Sequence, residues 1–158
     1  MAERPAVVFD TDVFVNAVVG PPTDWPHLSA LSPSANPDAD CLSIAFDGAG
    51  LRLMVSRYIL SSISGTLRHL GVGAANTKTT ISAVLDVVKA SGGAVLDPPR
   101  HVFDLPDHHC NLLMDLAVAV HATLVVTDDA DLNSLNAWQG IPILRLRPLH
   151  RPEAKHLR

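Results

Sequence analysis

Residues 7–19 read VVFDTDVFVNAVV and residues 122–132 read ATLVVTDDADL. In both stretches a short β-branched run ends abruptly on aspartate, and these two stretches decide the fold. A run with no polar alternation has no solvated face, so it reads as a strand covered on both sides, as in a parallel sheet flanked by helices. Working outward, Leu51–Val55, Ala94–Leu96 and Ile141–Leu146 have the same character and join Ala6–Phe9 and Thr123–Val126 as strands. Between them Asp38–Phe46, Arg57–Leu70, Lys78–Ala90 and His108–His121 carry helical spacing, and Ala130–Trp138 reads as a short last helix. The expectation is an α/β three-layer sandwich: a central parallel sheet of about five strands with helices on both faces.

Local punctuation agrees. Ser56 stands where an N-cap is needed after its strand, Gly92-Gly93 closes a helix, and Asp97-Pro98-Pro99 ends the third strand. Gly20–Pro37, with Pro21, Pro22, Pro26, Pro33 and Pro37, reads as an irregular surface loop, and Asp97–Pro106 as a second.

The chain has 158 residues, 47% hydrophobic and 18% charged, which suits one domain over residues 1–150. Residues 151–158 form a basic tail, and the cationic side chains Arg145, Arg147, Arg151, Lys155 and Arg158 crowd this end. The net charge of -4 excludes a polybasic coat for nucleic acid or membrane, so contact with nucleic acid must be local. Two distant cysteines, Cys41 and Cys110, and an N-terminus without a long apolar run lead us to expect a reducing cytoplasm. No apolar run approaches the ~20 residues needed to cross a bilayer.

Of the sixteen acids only Glu3 and Glu153 are glutamates, so every acid in the body of the chain is aspartate. Aspartate favours caps, turns and strand ends over helix interiors. Ligands of a parallel α/β sheet bind at the carboxyl ends of the strands. Asp10 and Asp12 emerge from one such end, and Asp128, Asp129 and Asp131 from another. Carboxylates gathered this way repel unless a proton or cation intervenes, and hard oxygen ligands suit Mg²⁺ or Mn²⁺. Helix capping is the competing role for Asp12 and Asp131.

His108-His109-Cys110 does not read as a structural zinc site, since adjacent ligands splay to different sides of a helix and no second ligand pair exists at finger spacing. Nor does anything arrange a base around Cys110 for thiol catalysis. Cys41, among Leu42, Ile44 and Ala45, reads as a small buried hydrophobe, and Trp25 and Trp138 as packing residues. On the helix after Ser56, Ile59, Leu60, Ile63, Leu67 and Leu70 form the core face, leaving Tyr58, Ser62, Thr66 and His69 along a second stripe beside the acids. Arg57 and Arg68 are candidates for phosphate contact, with the basic tail as a possible extension.

Together, VVFDTDVFVNAVV, VSRYILSSISGTL (residues 55–67), DHHCNLLMDLAVAVHA (107–122) and ATLVVTDDADL resemble, in order and over most of the chain, the motifs of PIN-domain nucleases. The pattern is nearest to the branch of toxin components of toxin-antitoxin pairs (VapC-like). The resemblance implies Mg²⁺ or Mn²⁺ bound by an acid cluster, hydrolysis of single-stranded RNA, a small antitoxin that occludes the acidic pocket, and a homodimer. Residue by residue, Asp10 matches the first family acid and Asp12 its neighbour. Asp129 matches the last, with Thr127 before it and Asp131 after it. The other two acids are replaced: Ser62 stands where the family has a helix glutamate, and Cys110 where it has an aspartate. Asp115 lies about 140° around the helix from Cys110, too far to substitute for it, whereas Asp107, one turn earlier, can reach the pocket or cap the helix. The resulting expectation is a weakened cation site on Asp10 and Asp129, with Asp12, Asp131 and Asp107 as further ligands. Mn²⁺ or Zn²⁺ would tolerate Cys110 and His108 better than Mg²⁺ does. Thr127, Ser62 and Arg57 are the expected substrate contacts.

Two other functions compete. One is a catalytically degenerate PIN domain that binds RNA or protein without cutting, which the replacements Ser62 and Cys110 favour. The other is a haloacid dehalogenase-like phosphatase, which Asp10, Asp12, Ser56, Asp128 and Asp129 fit loosely, although Phe14 departs from its first motif and Lys89 is badly placed for its lysine.

Overall fold

In a computed structural model, which describes residues 4–21, 35–47 and 50–146, the strands form at the expected places. They are β1 (Ala6–Phe9), β2 (Arg52–Ser56), β3 (Val95–Leu96), β4 (Leu124–Val126) and β5 (Ile143–Leu144). All neighbours are parallel, in the order β3-β2-β1-β4-β5. β1 is the central strand. Val8 is in register with Met54 on one side and Val125 on the other, and all four β1 residues are buried, which is why the run shows no polar alternation. β5 is shorter than the expected Ile141–Leu146. Pro142 has no N–H to give a ladder, and Ile141 instead pairs antiparallel with Trp138.

The helices are α1 (Thr11–Val19), α2 (Pro37–Asp47), α3 (Arg57–His69), α4 (Ala74–Ser91), α5 (His108–Ala119) and α6 (Ala130–Asn133). Three differ from expectation. α1 has no counterpart in the sequence reading: Thr11, Val13, Val15, Val18 and Val19 are weak helix formers, and burial of Val13, Phe14, Val15 and Ala17 overrides that preference. α4 begins at Ala74, four residues before the expected Lys78, because its N-cap is Gly73 and no side chain announces the start. α6 stops at Asn133, well short of Trp138, as the chain turns into the Trp138–Ile141 bridge.

The caps fall as expected. Ser56 Oγ accepts the Ile59 N–H, and Gly92 closes α4 in the left-handed conformation at φ 80°. At Gly93 a Cβ would lie 1.8 Å from the Leu53 carbonyl oxygen, so only glycine lets the end of α4 lie on β2. The Asp97–Pro106 stretch is irregular, as expected, while of the Gly20–Pro37 loop residues 22–34, including Trp25, lie outside the described residues. So does the tail, residues 147–158.

α1 to α4 pack against one another, and α5 lies against β1 and β2. Right-handed crossovers put the first group on one face of the sheet and α5, which carries the chain from β3 back past β1 to β4, on the other. The core between the layers includes Phe9, Phe14, Leu53, Ile59, Leu113, Met114 and Leu132, all under 2% exposed. Successive connections run outward from β1 to β2 and β3, then return to β4 and β5. The order therefore reverses between β1 and β4, the place where an open parallel sheet splays its loops and leaves a crevice. None of the described helices is long and apolar enough to cross a membrane.

Candidate functional site

The crevice is a cleft of about 400 Å³ lined by Asp10, Thr11, Asp12, Val15, Asn16, Ser62, Thr66, His109, Asp128 and Asp129. Asp10 caps α1 as β1 ends, and Asp129 caps α6 just after β4. The parallel pairing of Phe9 with Val126 brings the two caps to the same height, and the Asp10 N–H donates to the Val126 carbonyl at 2.9 Å.

Asp10 is 3% exposed and every contact orients it. Its Oδ1 accepts the Thr11 N–H at 2.7 Å and lies 2.6 Å from His109 Nε2, while its Oδ2 accepts the Thr127 hydroxyl at 2.8 Å. Thr127, fully buried, in turn accepts the Asp129 N–H on the same hydroxyl at 3.0 Å. That buried hydroxyl joins the two strand ends and leaves no surface for substrate, so its role is to position the acids. Asp129 Oδ1 accepts the N–H groups of Asp131 and Leu132, and its Oδ2 is 4.0 Å from Cys110 Sγ.

Asp12 is the electrostatically stressed acid. Burial first, and then the neighbouring Asp10, push its carboxyl up to about 7, although its Oδ2 accepts the Asp128 N–H at 2.8 Å. Its Oδ1 is buried without a hydrogen-bond partner. A buried acceptor in this state calls for a proton or a cation. Asp10, Asp128 and Asp129 line the same cleft, so this is an acid cluster in which a proton on Asp12 or a divalent cation would relieve the repulsion.

On the opposite wall, α3 presents the expected second stripe. Ser62 and Thr66 line the cleft, and Tyr58 Oη is 2.8 Å from His109 Nδ1, whereas His69 is exposed and takes no part. His109 is the residue sequence reading missed. The hydrogen bond to Asp10 holds its imidazolium form above the usual range despite partial burial. The signal that could have found it is its position on the first turn of a helix whose N-terminus must face the strand ends.

Asp107 caps α5 by accepting the Cys110 N–H at 2.8 Å, and that bond holds its exposed carboxyl below the usual range. Asp107, Cys110 and Asp129 offer ligand atoms that all lie within 4.8 Å of one another. Burial, the hydrogen bond to Asp107 and the charge of Asp129 push the Cys110 thiol up to about 12, so it is a thiol and not a nucleophilic thiolate at neutral pH.

Other residues weighed from the sequence stand away from the cleft lining. Asp131 is exposed on the first turn of α6, and Arg57 is an exposed partner of Asp97 at 3.4 Å. Asp115 is buried on α5, and its oxygens accept the His101 and Val102 N–H groups and the Arg100 guanidinium. Ser56, the residue of the phosphatase alternative, is 4% exposed with its Oγ used as a cap. Lys89 lies at the end of α4, whose capping Gly92 approaches Arg4 just before β1, at the far end of the sheet.

No family model and no curated protein matches the chain. Among solved structures, a chain from the crystal structure of VapBC2 from Rickettsia felis bound to a DNA fragment from their promoter superposes with a TM-score of 0.52. The chain carries a PIN-like α/β fold. The match spans 89% of this chain and 98% of the other at 11% identity, so the likeness is one of architecture.

Proposed function

We propose that this chain is a divalent-cation-dependent PIN-type ribonuclease acting on single-stranded RNA, and that it serves as the toxin of a toxin-antitoxin pair. The observation that carries this reading is the convergence of Asp10, Asp12, Asp128 and Asp129 on one cleft at the β1–β4 switch point. The PIN-like architecture supports it. Asp10 and Asp129 hold the cation, weakly because Ser62 and Cys110 contribute no carboxylate, with Asp12 supplying a further oxygen. A cation bound there stabilises charge on the scissile phosphate and lowers the pKa of the attacking water. Thr127 fixes the two principal acids, and the Ser62 and Thr66 hydroxyls on the facing wall donate to the RNA backbone. The partners in this reading are the RNA, a small antitoxin that covers the cleft and a second copy of the chain. The setting is the cytoplasm, with the cleft built in a single domain of residues 1–150 and residues 151–158 as a basic tail.

The test is cleavage of labelled single-stranded RNA by purified protein in Mg²⁺ and in Mn²⁺, beside an Asp129→Asn variant and a chelator. Cleavage lost in both controls is the expected result.

Ser62 and Cys110 favour a second reading, a PIN-like module that binds RNA or protein without cutting it. A combined Ser62→Glu and Cys110→Asp variant separates the two. Cleavage that appears only in the variant supports the binding module and overturns the nuclease.

A further inference from the structure

Three elements meet at one carboxylate. Asp10 follows β1, His109 sits on the first turn of α5 and Tyr58 on the first turn of α3. Tyr58 Oη lies 2.8 Å from His109 Nδ1, and His109 Nε2 lies 2.6 Å from Asp10 Oδ1. This chain of bonds has one sense at its Asp10 end. A carboxylate only accepts, so Nε2 carries a hydrogen in either charge state of the ring, while the Tyr58 hydroxyl, able to donate or accept, serves Nδ1 in both. The two rings lie 5.4 Å apart between centroids, so packing as well as both nitrogens holds the imidazole. Tyr58 is outside the cleft lining and reaches the acids only through His109.

The acceptor capacity of Asp10 gives this contact a consequence. A carboxylate has about four acceptor directions, two on each oxygen. The Thr11 N–H and His109 fill both on Oδ1, and the Thr127 hydroxyl takes one on Oδ2. The remaining direction is on Oδ2. We propose that Tyr58 and His109 are a positioning pair that saturates Oδ1, so that Asp10 meets whatever enters the cleft through Oδ2 alone. Without the pair, Oδ1 has an open acceptor site and the carboxylate has two ways to engage a ligand. With it there is one, set before the ligand arrives, and orientation of that kind is what a reacting group needs. The pair also links the facing wall to the acid, because Ser62, one turn on from Tyr58 in α3, lines the same cleft. The inference deepens the proposed function and rests on Asp10 receiving a ligand there, whereas the bonding itself is read without cation or substrate.

The experiment has one arm without cleavage and one with it. Long-range ¹H–¹⁵N spectra of the histidine rings and the carboxyl ¹³C signal of Asp10 are recorded on the full, metal-free chain as wild type, Tyr58→Phe and His109→Gln. The expected result is an Nε2 hydrogen on His109 that is protected from exchange. Tyr58→Phe speeds that exchange by about 2- to 10-fold, the effect of one hydrogen bond, and moves the Asp10 signal. RNA cleavage in Mn²⁺ then separates kcat from KM. His109→Ala lowers kcat by about 10- to 100-fold with KM unchanged, and His109→Gln, which keeps an N–H donor, recovers part of the loss. Tyr58→Phe lowers kcat by about 2- to 10-fold in the wild type and has no further effect in His109→Ala. An Nε2 without a hydrogen, or an Asp10 signal unmoved in both variants, overturns the inference whether or not RNA is cut. So does a Tyr58→Phe loss that persists in His109→Ala or falls on KM. Cleavage that persists beside either result leaves the nuclease reading intact. A fixed ring and a moved Asp10 signal with no cleavage in any metal uphold the pair and overturn the nuclease.

Discussion

Asp10 and Asp115 are two aspartates at nearly the same depth, 3% and 1% exposed, with opposite surroundings. Asp115 accepts two backbone N–H groups of the loop before α5 and a guanidinium, so its charge is fully met inside the fold. Asp10 is met by a hydroxyl, one backbone N–H and a histidine, beside three other acids on an open cleft. The first is a staple between a loop and a helix. The second is held in place with its charge only partly compensated, which is the condition of a group that receives a ligand. Burial alone does not separate the two; the identity of the counter-charge does.

The largest effect breaks the comparison at Asp10. Asp10→Asn lowers RNA cleavage in Mn²⁺ by 10³-fold or more, about 4 kcal/mol of transition-state stabilisation, while the thermal midpoint stays close to that of the wild type. Initial rates and a melting curve on the same preparation check it. An equal loss in Asp115→Asn with folding retained would erase the distinction.

Asp115→Ala costs stability in place of activity. It strands the buried Val102 N–H, the partly buried His101 N–H and the partly exposed Arg100, and the urea midpoint falls by an amount equivalent to about 2–3 kcal/mol. Cleavage by the fraction that remains folded is unchanged.

Asp12 sharpens the contrast through pH. Its folded pKa of about 7 lies above the ordinary 3.8, so between those values the native chain keeps a proton that the unfolded chain has released. Stability contributed there is present at low pH and is lost as pH rises from about 4 to about 7. Asp12→Asn removes that slope and stabilises the cation-free protein by about 1–2 kcal/mol at pH 8. Denaturant titrations across pH 5–8 check the sign, and a saturating divalent cation should remove the difference.

Ser56 sets the small end of the scale. Its hydroxyl only caps α3, so Ser56→Ala costs about 1 kcal/mol in a melting experiment and leaves cation binding as it was.

The sheet was legible in the sequence because burial on both faces forces unbroken apolar runs, as in Ala6–Phe9 and Leu124–Val126. The acids at the strand ends followed from parallel pairing, and Ser62 and Thr66 from helical periodicity. α1 stayed hidden because β-branched residues carry no helix signal of their own and only packing decides their state. His109 stayed hidden for a different reason. Whether a histidine on a helix's first turn faces solvent or a carboxylate depends on where β1 ends, a contact across 99 positions that no local pattern encodes.

The Thr127 hydroxyl, which donates to Asp10 and accepts from the Asp129 amide, works with the bond from the Asp128 amide to Asp12 to make a rigid caliper of the two strand-end loops. The jaws are the two principal acids, and the one oxygen that touches both is buried and in place before any ligand arrives. A cleft built this way would gauge a ligand instead of moulding to it, so under the proposed reading its discrimination by size would rest on the end of β4.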